Sequence, residues 1–301
     1  MPTLRQAIAA AARRLQRARL VYGHGTTNAL DEAVFLATEG LGLARLDQRL
    51  TPAQSRRLDA LVVARIKTRK PAPYLVGRAY IQGVPFRIDE RVIVPRSFIG
   101  ELLFSGHFID GFIGNPRRVR SVLDLCTGSG CLAILAAKVF PRARIDAVEL
   151  SAEALAVAKL NVAAQRLGRR IRLHHGDLFA PVRGRRYDLI LTNPPYVTAA
   201  SMRCLPPEYR HEPRLALAGG RDGLDLVRRI IAAAPDYLTP DGALLCEIGA
   251  GRKALERAFP RLPFFWLDTA QSSGEVFWLS QAQMATARDN FKTRKARQIP
   301  G

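Results

Sequence analysis

The sequence predicts an α/β fold: a mostly parallel sheet with helices on both faces, joined by a β-hairpin to a small helical domain in front of it. Three observations carry that expectation. From Val119 onward, short apolar β-like runs alternate with helical segments, which is how a parallel sheet with crossover helices reads. Up to Lys70 the apolar residues fall instead at helical spacing. Between these parts, Gly83 separates two β-like runs, the pattern of a hairpin.

Leu4, Ile8, Ala11, Leu15 and Ala18 line one face of a first helix. A second helix is expected over 29–43. The third opens at Thr51-Pro52-Ala53-Gln54, where Thr caps, Pro takes the first helical position and Gln completes a capping box. It ends near Lys70, before Pro71 and Pro73. These elements define a helical domain, 1–70, and a hairpin linker, 71–95. Residues 105–118, glycine-rich and basic, are expected to form a partly mobile loop. Strands are predicted over 119–125, 144–150, 170–175, 187–192 and 243–248, with helices over 131–140, 152–167 and 224–238. Ser151 caps the second of these helices and Gly168 ends it. The late runs 264–268 and 275–279 are expected as antiparallel strands at the sheet edge. The second domain is thus drawn as 96–282, and 283–301 as a basic, disordered tail.

With 301 residues, 48% of them hydrophobic, the chain has the makings of real cores. No apolar run approaches the roughly 20 residues that span a bilayer, and the Ala/Arg-rich start lacks a secretory core and cleavage site. Cys126, Cys131, Cys204 and Cys246 form no CxxC pair or zinc-ligand spacing, and five scattered histidines suggest no metal site. A cytoplasmic protein with reduced thiols is expected. The net charge of +20 favours a polyanionic partner, most simply nucleic acid.

Chemistry concentrates at Asn193-Pro194-Pro195-Tyr196, directly after the apolar run 187–192. Two prolines cannot continue a central strand, because each lacks an amide donor. Their carbonyls and the Asn193 side-chain oxygen remain acceptors, and Tyr196 adds a flat amphipathic face. This hook suits a planar NH2 group, that of an amide or of an aromatic amine. As a structural alternative, the tetrapeptide is a rigid turn.

A second constellation lies at the ends of the preceding strands. Asp124-Leu125-Cys126-Thr127-Gly128-Ser129-Gly130 leaves the first sheet strand and opens a helix, and its glycines permit close backbone approach to a ligand. Glu149, beside Leu150 at the end of the second strand, suits a ribose diol. Asp177 after the third strand suits an adenine amino group, with Leu178 or Phe179 against the ring. The same glycine spacing fits a dinucleotide fingerprint. S-adenosylmethionine is favoured because Asp124 suits a cationic ligand end and because a dinucleotide has no use for the Asn193 hook. Singly, each acid also reads as a strand-end or turn residue.

Taken together, the segments 124–130, Glu149, 176–179 and 193–196 resemble the HemK-type protein-glutamine amide methyltransferases. The segments 23–33 (opening Gly23-His24-Gly25-Thr26-Thr27-Asn28), Val94-Pro95-Arg96-Ser97, 126–131 and 205–213 are similar to the branch that modifies large-subunit ribosomal protein three, rather than the branch that modifies release factors. The likeness runs over about residues 20–280. It departs at Thr27, where Asp is expected, and at Leu30, where an aromatic is usual. The resemblance implies a Rossmann-like, seven-stranded methyltransferase sheet and a substrate-recognition role for the helical domain. It implies S-adenosylmethionine held by Asp124, Thr127, Gly128, Gly130, Glu149, Leu150, Asp177, Leu178 and Asn193. Asn193, Pro194, Pro195 and Tyr196 would hold the substrate amide, with Asn193, Pro194 and Tyr196 carrying the reaction. Three alternatives stand beside this reading: a release-factor enzyme, an adenine amino-methyltransferase on DNA or RNA, and a non-catalytic ribosome-assembly RNA-binding protein.

Overall fold

Leu4–Arg17 (α1), Ala29–Leu41 (α2) and Pro52–Thr68 (α3) begin the chain in the computed structural model, which describes residues 1–286. The chain divides into two units: residues 1–96 with 204–213, and 97–203 with the rest. Capping explains the helix starts in the first unit. Thr3 and Thr51 each accept from the backbone N–H three residues on, while Gln6 and Gln54 return the bond. Leu4, Ile8, Ala11 and Leu15 of α1 are buried with Leu36 of α2 and Val62 of α3 in one apolar cluster. At Gly40 a Cβ would stand 2.5 Å from Leu61 Cδ1, so glycine there lets α2 and α3 approach.

After Ala72–Val76 (α4), the hairpin pairs Arg78–Ile81 (β1) with Val84–Arg87 (β2). Both turn residues, Gln82 (φ 50°) and Gly83 (φ 71°), are left-handed, as a two-residue turn matched to strand twist requires.

The sequence division places 204–213 in the second domain, whereas the structure groups this segment with the first unit. The cause is buried charge. Glu208 accepts from the Val21 N–H at 3.0 Å and pairs with Arg69 at 2.7 Å, while Arg65 binds Glu32 at 2.7 Å. Glu212 accepts from the Val94 N–H at 3.0 Å and from both ends of the Arg96 guanidinium, at 2.5 and 2.7 Å. Tyr209 lies against His24 with ring centroids 4.4 Å apart. A linear domain boundary cannot reveal carboxylates that find their arginines more than 100 residues away.

In the second unit, Phe98–Leu103 (α5) and Gly106–Phe108 (α6) precede the sheet. The 105–118 stretch is not the loop expected. It contains α6 and a further helical turn, Ile109–Ile113, because Phe108 and Phe112 stack at 5.5 Å and both meet Trp278.

The strands Ser121–Leu125 (β3), Arg144–Glu149 (β4), Ile171–His175 (β5), Tyr187–Thr192 (β6) and Leu238–Glu247 (β7) are parallel. Phe265–Leu267 (β8) and Val276–Ser280 (β9) complete the edge antiparallel, giving the order β5-β4-β3-β6-β7-β9-β8. Cys131–Val139 (α7), Ala152–Ala164 (α8), Ala199–Arg203 (α9), Arg214–Leu217 (α10), Asp225–Tyr237 (α11) and Arg252–Ala258 (α12) are further α-helices of this unit. The apolar runs of β3, β6 and β7 are buried on both faces, as the central strands of a covered parallel sheet must be. Residues 281–286 are helical, and Met284, 2% exposed, packs in the core. The chain is therefore ordered past 283, where the tail was expected to begin; the remainder of that tail lies outside the described residues.

Candidate active site

Strand order reverses between β3 and β6, so the loops after them diverge and leave a crevice at the carboxyl ends of the strands. The segments after β3, β4, β5 and β6 that the sequence singles out all stand at this end of the sheet.

Asp124 on β3 is fully buried. One carboxylate oxygen accepts from the Thr127 hydroxyl and from the Ala133 N–H at 2.9 Å, tying the loop to the first turn of α7. The other oxygen has no hydrogen-bond partner among the described residues. Burial pushes the Asp124 carboxyl up to about 7, against the opposing effect of these two donors. Cys126 (φ 58°), Gly128 (φ 55°) and Gly130 (φ 79°) turn the loop through left-handed conformations. The two glycines serve different ends. A Cβ on Gly130 would meet Ala158 Cβ at 3.3 Å, so this glycine packs the loop on α8, whereas Gly128 faces open space. Burial raises the Cys126 thiol, and the Cys131 thiol to about 12, as expected of packed thiols rather than nucleophiles.

Glu149 ends β4 with its oxygens on the backbone N–H groups of Gly128 (2.8 Å) and Ser151 (2.9 Å). Each oxygen keeps acceptor capacity for a further donor. Leu150 beside it is 50% exposed, an apolar side chain left facing outward at the crevice. Asp177, after β5, is paired with Arg229 of α11. Leu178 and Phe179 differ from expectation. Leu178 adopts φ 46° with its side chain in the core, and Phe179 stacks on Tyr237 at 4.4 Å, so neither side chain offers a free apolar face. Of the apolar residues singled out here, Leu150 is the one exposed.

Asn193 to Tyr196 leave β6 just past Thr192, whose hydroxyl donates to the Leu125 carbonyl at 3.0 Å and ties β6 to β3. Neither the Asn193 side chain nor the Pro194 carbonyl has a hydrogen-bond partner among the described residues. Glycines cage the tetrapeptide. A Cβ on Gly219 would lie 2.6 Å from Tyr196 Cα and 2.7 Å from the Pro195 carbonyl, and one on Gly223 (φ 83°) 2.3 Å from the Tyr196 carbonyl. Gly249 (φ 54°) presses on the ring itself, 2.8 Å from Tyr196 Cδ2 and Cε2 to its virtual Cβ. The segment beyond the hook is pinned by Val197, whose N–H donates to the Leu217 carbonyl and whose carbonyl accepts from Gly219.

Sequence reasoning missed Glu247 and Ser97 as site residues. Glu247 ends β7 and is 1% exposed, with one oxygen on the Ser97 hydroxyl (2.7 Å) and the Phe98 N–H (2.9 Å). Its other oxygen faces the Tyr196 hydroxyl at 3.3 Å. An acid at the carboxyl end of a predicted strand was the same signal that drew attention to Asp124 and Glu149.

The fold and the strand-end loops are those of a methyltransferase. Residues 111–204 match the family model of the methyltransferase small domain. The hMettl16 catalytic domain, solved with a 3'UTR hairpin, superposes with a TM-score of 0.51 over 83% of this chain and 92% of that one, at 16% identity, a likeness of fold. The ribosomal protein uL3 glutamine methyltransferase of Bradyrhizobium diazoefficiens is 55% identical over 90% of this chain and 88% of its own length. That of Bordetella pertussis is 51% identical over 95% and 97%, and that of Neisseria gonorrhoeae 47% over 94% and 96%. The chain belongs to the family of ribosomal protein uL3 glutamine methyltransferases.

Proposed function

We propose that this protein transfers a methyl group from S-adenosylmethionine to the side-chain amide nitrogen of a glutamine in ribosomal protein uL3. The observation that carries the chemistry is the pair of unengaged acceptors at Asn193 and Pro194, held at the switch point of the sheet by the glycines around Tyr196. The uL3 assignment rests on relatives that share about half their residues with nearly the whole chain.

The residues present fit the cofactor. The orphaned, buried oxygen of Asp124 suits a cationic group, Gly128 leaves open space, Glu149 can accept from a diol, and Leu150 offers an apolar wall. Asp177 would accept from an amino group beside its Arg229 partner, the Leu178 backbone would follow it, and Thr127 and Gly130 would hold the loop. When bound, S-adenosylmethionine supplies a methyl group on an electron-poor sulfur.

The protein must then manage a weak nucleophile. An amide nitrogen shares its lone pair with the carbonyl. Accepting hydrogen bonds from its NH2, at Asn193 Oδ1 and the Pro194 carbonyl, fix its position and favour positive charge developing on it. The Tyr196 ring packs on the amide plane, and Pro195 stiffens the hook. Positioning therefore carries much of the rate. The helical unit would grip the protein substrate, and the +20 charge would favour contact with ribosomal RNA. Such a substrate places the reaction in the cytoplasm. Within the described residues no helix is long and apolar enough to cross a membrane.

The test is labelled methyl transfer offered uL3, a release factor and DNA. Label in uL3 supports the proposal. Label in the release factor alone would assign the other branch, and label in DNA would make the planar NH2 that of adenine.

A further inference from the structure

Glu247 is a buried carboxylate at the candidate site for which the chemistry above has no role. Its strand position is informative. β6 and β7 pair Thr192 with Cys246, so Glu247 stands in register with Asn193, one step past the last paired residues. It is almost fully buried, yet among the described residues no arginine or lysine pairs with it. Its hydrogen-bonding neighbours include the Ser97 hydroxyl, the Phe98 N–H at the start of α5 and the Tyr196 hydroxyl, and the Ile99 N–H also faces it. The other titratable groups that sense it are two thiols, Cys131 at the start of α7 and Cys246 on its own strand; across β9 its register partner is Val276.

Resting on the glutamine-methyltransferase reading, we infer that Glu247 is a positioning residue that holds the ring of Tyr196 on the face of Gly249 and sets the direction of the tyrosine hydroxyl hydrogen. The Phe98 N–H can only donate to Oε2, and the Ser97 Oγ already accepts from the Ile99 N–H while its hydroxyl donates to the same Oε2, so Oε1 is the oxygen left to respond to Tyr196. When Glu247 is ionised, the tyrosine hydroxyl donates inward to Oε1 and its lone pairs face away. When Glu247 is protonated, Oε1–H donates to the tyrosine oxygen and the tyrosine hydrogen turns outward. One buried proton thus decides whether Tyr196 presents an acceptor or a donor beside the hook. Burial lifts the Glu247 carboxyl to about 7, so both states are within reach near neutral pH.

The expected active state is the ionised one, in which the Ser97, Phe98 and Tyr196 donors, with the Ile99 N–H beside them, converge on one carboxylate and fix Tyr196 in a single arrangement. The wild-type kcat should then rise as pH increases through about 7. Glu247→Gln, which can only donate from its amide toward Tyr196, should lower kcat about tenfold. It should flatten the pH profile while leaving S-adenosylmethionine affinity by calorimetry and Tm nearly unchanged. Tyr196→Phe keeps the aromatic plate and removes the hydroxyl; combining it with Glu247→Gln should cost no more than Tyr196→Phe alone. Glu247→Asp, which restores a charge, should recover a pH-dependent kcat. Multiplying losses in the double variant, or a Glu247→Gln profile that keeps the wild-type inflection, overturns the inference while the glutamine reading stands. Failure of the wild type to methylate uL3 overturns that reading, and the inference with it.

Discussion

Asn193 and Asp124 divide the proposed chemistry between them. Asn193→Ala removes one acceptor from the hook without touching the glycine loop. Transfer should fall on the order of 100-fold, with cofactor affinity within a few-fold by calorimetry; loss of both would mean that Asn193 acts through the fold. Asp124 makes a prediction in pH. Its folded-state carboxyl lies near 7, above its unfolded value, so the folded protein binds the extra proton between about 4 and 7. The stability contribution of Asp124 is therefore largest at low pH and lost as pH rises through 7. Cofactor affinity should move the other way, strengthening as the carboxylate ionises opposite a cationic ligand. Titration calorimetry at pH 6 and pH 8 checks this, and an Asp124→Asn variant should show no such difference. Gly223→Ala would put a Cβ 2.3 Å from the Tyr196 carbonyl at φ 83°. It should cost about 1–3 kcal/mol of stability and most of the activity.

Local rules made the elements legible. The Thr51-Pro-Ala-Gln start of α3 was readable because a capping box is a four-residue signal, and Thr51→Ala should cost about 1 kcal/mol in urea denaturation. Alternation of apolar runs located β3 to β7 within a few residues, and the late runs named β8 and β9. What local pattern could not show was long-range pairing. Residues 105–118 read as a loop because three glycines and several charges dominate the composition, while the stacking of Phe108, Phe112 and Trp278 spans 170 residues of chain. The 204–213 segment is a second case, fixed by Glu208 and Glu212 on distant arginines. Arg96 and the neighbouring His24 draw the Glu212 carboxyl down to about 2, against the pull of burial. Its contribution is present above the unfolded value near 4.5 and lost as pH falls toward 2. Glu212→Gln should therefore destabilise by about 3 kcal/mol at pH 7, and the gap to wild type should narrow below pH 4.

Across the molecule, the sheet order explains why the loops named from sequence converge: successive strand ends on either side of one switch point must face one crevice. Acids and glycines at those strand ends are legible in the sequence itself. Leu178 and Phe179 lie in the core, since an apolar residue after a strand serves a core as readily as a ligand, and only burial separates the two. Sequence reasoning passed over Glu247 because its partners, Ser97 and Tyr196, lie 150 and 51 residues away. The high positive charge makes its own prediction: transfer to uL3 bound to ribosomal RNA should weaken with added salt more steeply than transfer to free uL3. The central claim is that the Asn193 hook presents a glutamine amide for methylation. Mass spectrometry of uL3 after incubation with S-adenosylmethionine should find a methyl group on a glutamine side-chain nitrogen with the wild-type protein and about 100-fold less of it with Asn193→Ala. A methyl group on any other atom of uL3, or undiminished methylation by the variant, would contradict it.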